Sequence, residues 1–379
     1  MSRSPKNNSA TTCVVDLAAI RHNIRCILGG LGPSARALLV VKAEAYGHGM
    51  VPVARAVSRV KEIALLGVAT GAEALELRQA GIRKPVLVLG ALPVADLPEL
   101  IRKGVAVTLS TYDEAVRVDR IARRLGRMVK VHVEFDTGMG RLGVPYAEGL
   151  KLMFQINAFS SMQLEGMYTH FPSAETDDVE FSQKQIRIFS MAAELFREMY
   201  PRRLKYVHMA NSAGIFAHTA SRFNLVRPGL LAYGVNPFGK GRLPFTPLPA
   251  MSLKSRIALI KVCPKGGTVS YGRTYRARRR THIAVLPVGY SSGYPFRLSN
   301  RSSVLIEGRR YPVAGRVTMD HLMIDLGPKT PYRAGQEVVL LGESGPKRIT
   351  AEELARLAGT IPYEIVTGVH PKIRRVYKQ

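Results

Sequence analysis

Lys42 is the first residue that points to chemistry, because it leaves a short apolar run in Val41-Lys42-Ala43-Glu44-Ala45-Tyr46-Gly47-His48-Gly49. Desolvation at such a strand end disfavours the ammonium and makes the neutral amine a nucleophile toward an aldehyde. The plainer reading is a strand-end lysine whose stem lies on apolar surface while its head reaches water. A second block, Asp136-Thr137-Gly138-Met139-Gly140-Arg141-Leu142-Gly143, contains G-x-G-x-x-G between a strand-like and a helix-like stretch, formally a dinucleotide fingerprint. Alternation in the preceding run puts Lys130, His132, Glu134 and Asp136 on one face, and Val131, Val133 and Phe135 on the other. That polar face suits a small charged ligand, a buried structural network or a metal site. His170 ends another run, in Tyr168-Thr169-His170-Phe171, where a lone histidine is structural unless the strand end lies at a site. Two further runs end in His208-Met209-Ala210-Asn211-Ser212 and Arg227-Pro228-Gly229-Leu230. The Ser212 hydroxyl and the Gly229 and Leu230 amides suit a phosphate dianion, since Gly229 has no side chain to obstruct it.

These residues need a scaffold that brings strand ends together. Strand-like runs fall at Leu38–Lys42, 64–69, 86–89, 105–109, 129–136, 164–170, 206–211 and 225–227, with an amphipathic stretch at 17–28 before them and others such as 72–79 and 183–200 between them. Such alternation predicts a (β/α)8 TIM-like barrel, whose chemistry sits at the C-terminal ends of the strands; a doubly wound open sheet competes. Residues 236–250, rich in Pro and Gly, break the pattern. Beyond them, runs at 255–262, 283–288, 304–306, 322–326 and 337–341 predict a mainly antiparallel β domain. Thr350 and Glu353 there are spaced as a capping box, with Gly359 as the helix stop. The expected domains are 14–240, and 241–379 together with the N-terminal segment 1–13.

Composition narrows the partners. The 379-residue chain is 46% hydrophobic, and no apolar run approaches the roughly 20 residues of a membrane helix. The start, MSRSPKNNSATT, lacks the apolar centre of a secretory signal, and three cysteines show no ligand spacing. A cytoplasmic protein is expected. The formal charge of +27 would draw nucleic acid, anionic membrane or anionic ligands nonspecifically, or is simply solvated helix-face charge. The densest run, Arg276-Ala277-Arg278-Arg279-Arg280, is short and no nucleic-acid motif accompanies it, so neither a specific nucleic acid nor a membrane is expected.

From Val15-Asp16-Leu17 to Tyr377 the chain resembles the alanine racemases, through the Lys42, Asp136–Gly143, His208–Ser212, Arg227–Leu230 and Val269–Tyr275 blocks together. The resemblance implies a fold-type III barrel with a β domain, dimerised head to tail, each site combining one barrel with the partner's β domain. It implies pyridoxal 5'-phosphate on Lys42, with Tyr46, His170, Asn211, Ser212, Arg227, Gly229, Leu230 and Tyr363 around it. Arg227 would face the pyridine nitrogen, and His170 would link Arg227 to Tyr271. Arg141 would grip the substrate carboxylate as a planar fork, helped by the Met319 amide, with Tyr290 gating the site and Asp320 supporting. Tyr271, in Val269-Ser270-Tyr271-Gly272-Arg273, would be a second base opposite Lys42, with Lys42 serving D-alanine and Tyr271 serving L-alanine. The product would be D-alanine for peptidoglycan.

Where many relatives carry a carbamylated lysine, this chain has Glu134, which is expected to hold Arg141 directly. Other departures are Glu44 for Asn, Ser291-Ser292 for Ala-Asp and Thr318 for Cys. The alternatives are a broad-range racemase for serine or basic amino acids and a non-catalytic pyridoxal-phosphate-binding protein. A metal-dependent barrel hydrolase is more remote.

Overall fold

The computed structural model describes residues 10–32, 36–200, 204–239 and 241–379. Within them the chain divides into two compact units, one of residues 21–45 and 50–247, the other of residues up to Ile20, Tyr46–Gly49 and Leu248–Gln379.

The first unit is a closed barrel of eight parallel strands: Ala37–Val40, Ile63–Val68, Val86–Val88, Ala106–Leu109, Val129–Phe135, Met162–Thr169, Tyr206–Asn211 and Leu225–Arg227. Pairing of Ala37 with Val226 closes the ring and removes the open-sheet alternative. Helices return the chain between strands, and two of them start at full capping boxes, Thr70 with Glu73 and Thr111 with Glu114. The fifth strand keeps its alternation. Val131, Val133 and Phe135 pack outward against Met153, Ile156, Phe189 and Phe196, while His132 and Glu134 are buried among polar groups.

The second unit contains a sheet in the order Arg309–Pro312, Ser303–Ile306, Glu337–Ser344, Met251–Arg256, Thr12–Asp16, Arg374–Lys378, with Lys347–Ile349 paired to Glu337–Ser344. Only the Thr12–Asp16 and Arg374–Lys378 pair in it is parallel. Leu259–Cys263, Thr281–Leu286 and Leu322–Gly327 form a separate antiparallel sheet.

Three expectations change here. The run 255–262 is two strands in different sheets, because the Ile257 amide bonds Gln336 and the Ala258 amide bonds Val285. The expected boundary at residue 14 cuts through Thr12–Asp16, a strand of the β unit; residues 1–9 of the 1–13 segment lie outside the described residues. The capping box at Thr350 is half formed. Its hydroxyl accepts the Glu353 amide at 3.1 Å, but the Glu353 carboxylate is taken by Arg310 at 2.5 and 2.8 Å. Gly359, at φ +66°, ends that helix as expected.

Candidate active site

Lys42 follows the first barrel strand and opens one helical turn, Lys42–Gly47. That turn is left-handed: Ala43, Glu44, Ala45 and Tyr46 have φ of 50°, 55°, 52° and 55°. For such residues this conformation costs about 1–2 kcal/mol each, so outside groups must hold it. The Glu73 carboxylate accepts the Ala43 amide at 2.7 Å and the Ala69 amide at 2.7 Å. Glu44 accepts the Met50 amide at 3.1 Å, which gives the departure from asparagine a local role. Burial, then Arg141, lower the Lys42 pKa, Glu73 opposes them, and Arg227 adds to the lowering. The amine is thereby biased toward its neutral, nucleophilic form.

Arg227 is buried at the end of the eighth strand. Its Nη1 meets His208 Nδ1 and the His208 carbonyl, both at 3.0 Å. Its Nη2 meets the carbonyls of Thr169 at 2.7 Å and Met209 at 3.0 Å, and His170 Nδ1 at 3.1 Å. Burial pushes its pKa down to about 10, which leaves it charged at neutral pH. With both terminal nitrogens engaged, Nε is the donor left over among the described residues, and it suits a ligand atom that can only accept.

Ser212 Oγ accepts the amides of Gly229 at 2.9 Å and Leu231 at 3.3 Å. A hydroxyl has two acceptor sites and one proton, so its proton remains for an anion. The Gly229 amide, expected to meet a phosphate, bonds Ser212, and among the described residues the Leu230 amide is unpaired. Asn211 Oδ1 caps the next turn by accepting the Gly214 amide at 2.9 Å.

The glycine-rich block does not form a phosphate loop. Asp136 accepts the Gly138 amide at 2.9 Å and the Gly140 amide at 3.1 Å, the Gly143 amide bonds Ser110 at 3.2 Å, and the next helix starts only at Tyr146. These bonds build a compact turn that carries Arg141. Glu134 does not hold Arg141 as expected. Its carboxylate receives the Tyr168 hydroxyl at 3.1 Å, and among the described residues it forms no ion pair with Arg141. Burial raises the Glu134 pKa, while the Tyr168 bond, Arg227 and then Arg141 lower it, so Arg141 acts on it only through its field.

In the β unit, Tyr271 sits on a 3₁₀ turn, Tyr271–Arg273, between the short strands Thr268–Val269 and Tyr275–Arg276, and is 71% exposed. Ser270 donates to the Arg316 carbonyl at 2.7 Å and fixes the base of that turn. Tyr290 and Met319 lie on adjoining segments: the Tyr290 amide bonds Thr318 O and the Ser291 amide bonds Met319 O, both at 3.0 Å. Gly289 permits this, since a Cβ there would lie 2.2 Å from the Thr318 carbonyl. Ser291 donates to Asp320 at 2.9 Å, and Thr318 closes its own turn onto His321. Tyr46 and Tyr363 have ring centroids 6.0 Å apart, and burial raises the Tyr46 phenol pKa.

Burial, followed by nearby cations, lowers the pKa of His170 and His208, and burial lowers that of His132 as well. All three are therefore neutral in the fold and bind protons more readily when unfolded. Stability is fully present above the ordinary histidine pKa of 6.5 and falls as pH drops below it, by up to about 1.4 kcal/mol per pH unit for each histidine. Urea midpoints measured across that range should decline toward acid.

A closed barrel with a desolvated lysine, a donor-only arginine and a spare hydroxyl proton at its strand ends is the framework of a barrel enzyme that binds a phosphorylated carbonyl cofactor. Residues 15–237 match alanine racemase, N-terminal domain, and residues 250–377 match alanine racemase, C-terminal domain. An alanine racemase of Symbiobacterium thermophilum is 41% identical over 97% of this chain and 97% of its own length. The chain superposes on alanine racemase from a D-cycloserine-producing Streptomyces lavendulae with TM-score 0.93 and 34% identity, covering 99% of this chain and 98% of that one. It superposes on the Bacillus anthracis alanine racemase with bound L-Ala-P with TM-score 0.91 and 36% identity, covering 98% and 95%. The chain belongs to the alanine racemase family.

Proposed function

We propose that this chain interconverts L- and D-alanine, with Lys42 and Tyr271 as its two bases. The observation that carries the reading is the Lys42 amine, held at a barrel strand end and biased to neutrality by burial and by Arg141. The donor set fits pyridoxal phosphate: an amine for the aldehyde, Arg227 Nε for the pyridine nitrogen, and the Ser212 proton and Leu230 amide for the phosphate. The family resemblance adds Tyr46 and Tyr363 to the phosphate donors and Asn211 to the surroundings of the cofactor. When bound, the cofactor draws electrons from the substrate's α-carbon and makes its proton removable.

The chain's own groups then do the rest. Arg227 donates and has no lone pair, so it cannot share a proton back from the ring nitrogen and keeps the ring a restrained electron sink. Arg141 orients the carboxylate, and the Met319 amide supports it. Lys42 takes or returns a proton on one face and the phenol of Tyr271 does so on the other, which inverts the centre. The exposure of Tyr271 and of Met319, at 71% and 55%, suits residues lent to another copy, so the working form is a homodimer with shared sites. Its product supplies D-alanine for peptidoglycan in the cytoplasm.

Racemisation of alanine, followed with and without added pyridoxal phosphate and beside serine and lysine, tests the reading. Alanine should turn over fastest and only with cofactor; cofactor-independent turnover would sink it. Arg141→Lys should raise the KM for alanine by about tenfold or more, because a point charge replaces a two-pronged grip. Steady-state kinetics check this, and an unchanged KM removes Arg141 from the carboxylate.

A further inference from the structure

We infer that Glu165, near the N-terminal ends of the barrel strands, is a positioning residue that sets the tautomers of His132 and His208 and thereby holds Arg227 toward the cofactor ring. A line of polar contacts crosses the barrel interior. Arg227 Nη1 lies 3.0 Å from His208 Nδ1, His208 Nε2 lies 3.0 Å from His132 Nδ1, and His132 Nε2 lies 3.6 Å from Glu165 Oε2. Both imidazoles are fully buried, and among the described residues His132 Nε2 has no closer partner.

The direction of this line follows from its ends. A guanidinium only donates, so His208 Nδ1 must accept and the single proton of a neutral ring sits on Nε2. That proton points at His132 Nδ1, which places the His132 proton on Nε2, aimed at Glu165. The carboxylate at the far end can only accept while ionised, and Lys130 at 3.2 Å and Lys205 at 3.4 Å keep it so. Burial works against that charge, but the facing His132 N–H and the Lys130 ammonium outweigh it and lower the carboxyl's pKa. The neighbouring glycine is part of the arrangement: a Cβ on Gly166 would fall 2.7 Å from His132 Nδ1.

Without an acceptor at position 165, His132 is free to carry its proton on Nδ1. His208 must then carry its own on Nδ1 as well, facing the Arg227 N–H, and two donors in contact push the guanidinium aside. The catalytic consequence rests on Arg227 facing the ring nitrogen; the tautomers themselves do not.

Nitrogen-15 spectra of histidine-labelled holoenzyme read the tautomers directly, in the native protein and in Glu165→Met and Glu165→Gln. The native spectrum should show both rings as Nε2–H. Glu165→Met should give a His208 population with Nδ1–H and a turnover about tenfold lower at unchanged KM. Glu165→Gln, whose amide oxygen still accepts, should restore the tautomer and most of the turnover. An Nδ1–H ring at either position in the native spectrum overturns the proposal, with no variant needed. So does a Glu165→Met protein whose His208 stays Nε2–H, or a Glu165→Gln protein that behaves like it. A tautomer shift with unchanged turnover would instead detach Arg227 from the ring nitrogen, a failure of the site assignment and not of the relay.

Discussion

Replacing Lys42 with alanine should remove racemisation by at least about a thousandfold and abolish the absorption band of lysine-bound cofactor, while the barrel stays folded. The side chain emerges from a turn whose fixed points are backbone amides, Ala43 to Glu73 and Met50 to Glu44, so its removal breaks neither bond. It also relieves a desolvated amine set against Arg141 and Arg227. Far-ultraviolet circular dichroism should therefore be unchanged when activity is gone. Added methylamine should recover part of the activity, since it supplies the missing amine. Retention of the band together with full activity would rule Lys42 out.

Tyr271→Phe should depress net racemisation by about a hundredfold or more in both directions. Equal loss is required whichever base is removed, because the two enantiomers have an equilibrium constant of one, which ties the two kcat/KM values together. The asymmetry appears one step earlier, in exchange of the α-hydrogen with deuterated solvent. In Tyr271→Phe, exchange from D-alanine should persist through Lys42, while exchange from L-alanine should collapse. The substitution removes only a hydroxyl from a 71% exposed ring, and the turn beneath is held by Ser270 and Arg316, so the fold should be indifferent to it. Equal loss of exchange from both enantiomers would contradict the assigned faces.

The barrel was legible because its strands are short and buried, either apolar throughout or with one apolar face, and the helices between them carry local stop and start signals. Each of the eight expected runs overlaps a barrel strand. Less legible were features that depend on distant partners. Nothing local in Ala43-Glu44-Ala45-Tyr46 favours a left-handed turn; it is imposed by Glu73, thirty residues on. In the fold Glu73 also completes the capping box of its own helix with Thr70, a local role that gives no sign of its second task. Glu134 was assigned to Arg141 by analogy with a longer, carbamylated lysine. A glutamate is shorter, and the Tyr168 hydroxyl satisfies it within the barrel. The bond from the Gly229 amide to Ser212 was equally hidden, since a serine that accepts it and a phosphate that accepts it look alike in sequence. The stretch 255–262 hid a crossing between sheets, because the strands Met251–Arg256 and Leu259–Cys263 are separated only by the apolar pair Ile257-Ala258, with no Gly or Pro to mark the break. By contrast, the alternation of His132 and Glu134 against Val131, Val133 and Phe135 was visible from the start, though its deeper use, the line to Glu165, required the fold.

Mixing the Lys42→Ala and Tyr271→Phe proteins under subunit exchange tests the shared, two-base site most directly. If each barrel uses the phenol of the other protomer, a mixed dimer contains one intact site and one doubly altered site. Random exchange of equal amounts should then recover about a quarter of native activity from two nearly inactive proteins. No recovery, with mixed dimers demonstrated by mass spectrometry, would contradict the account.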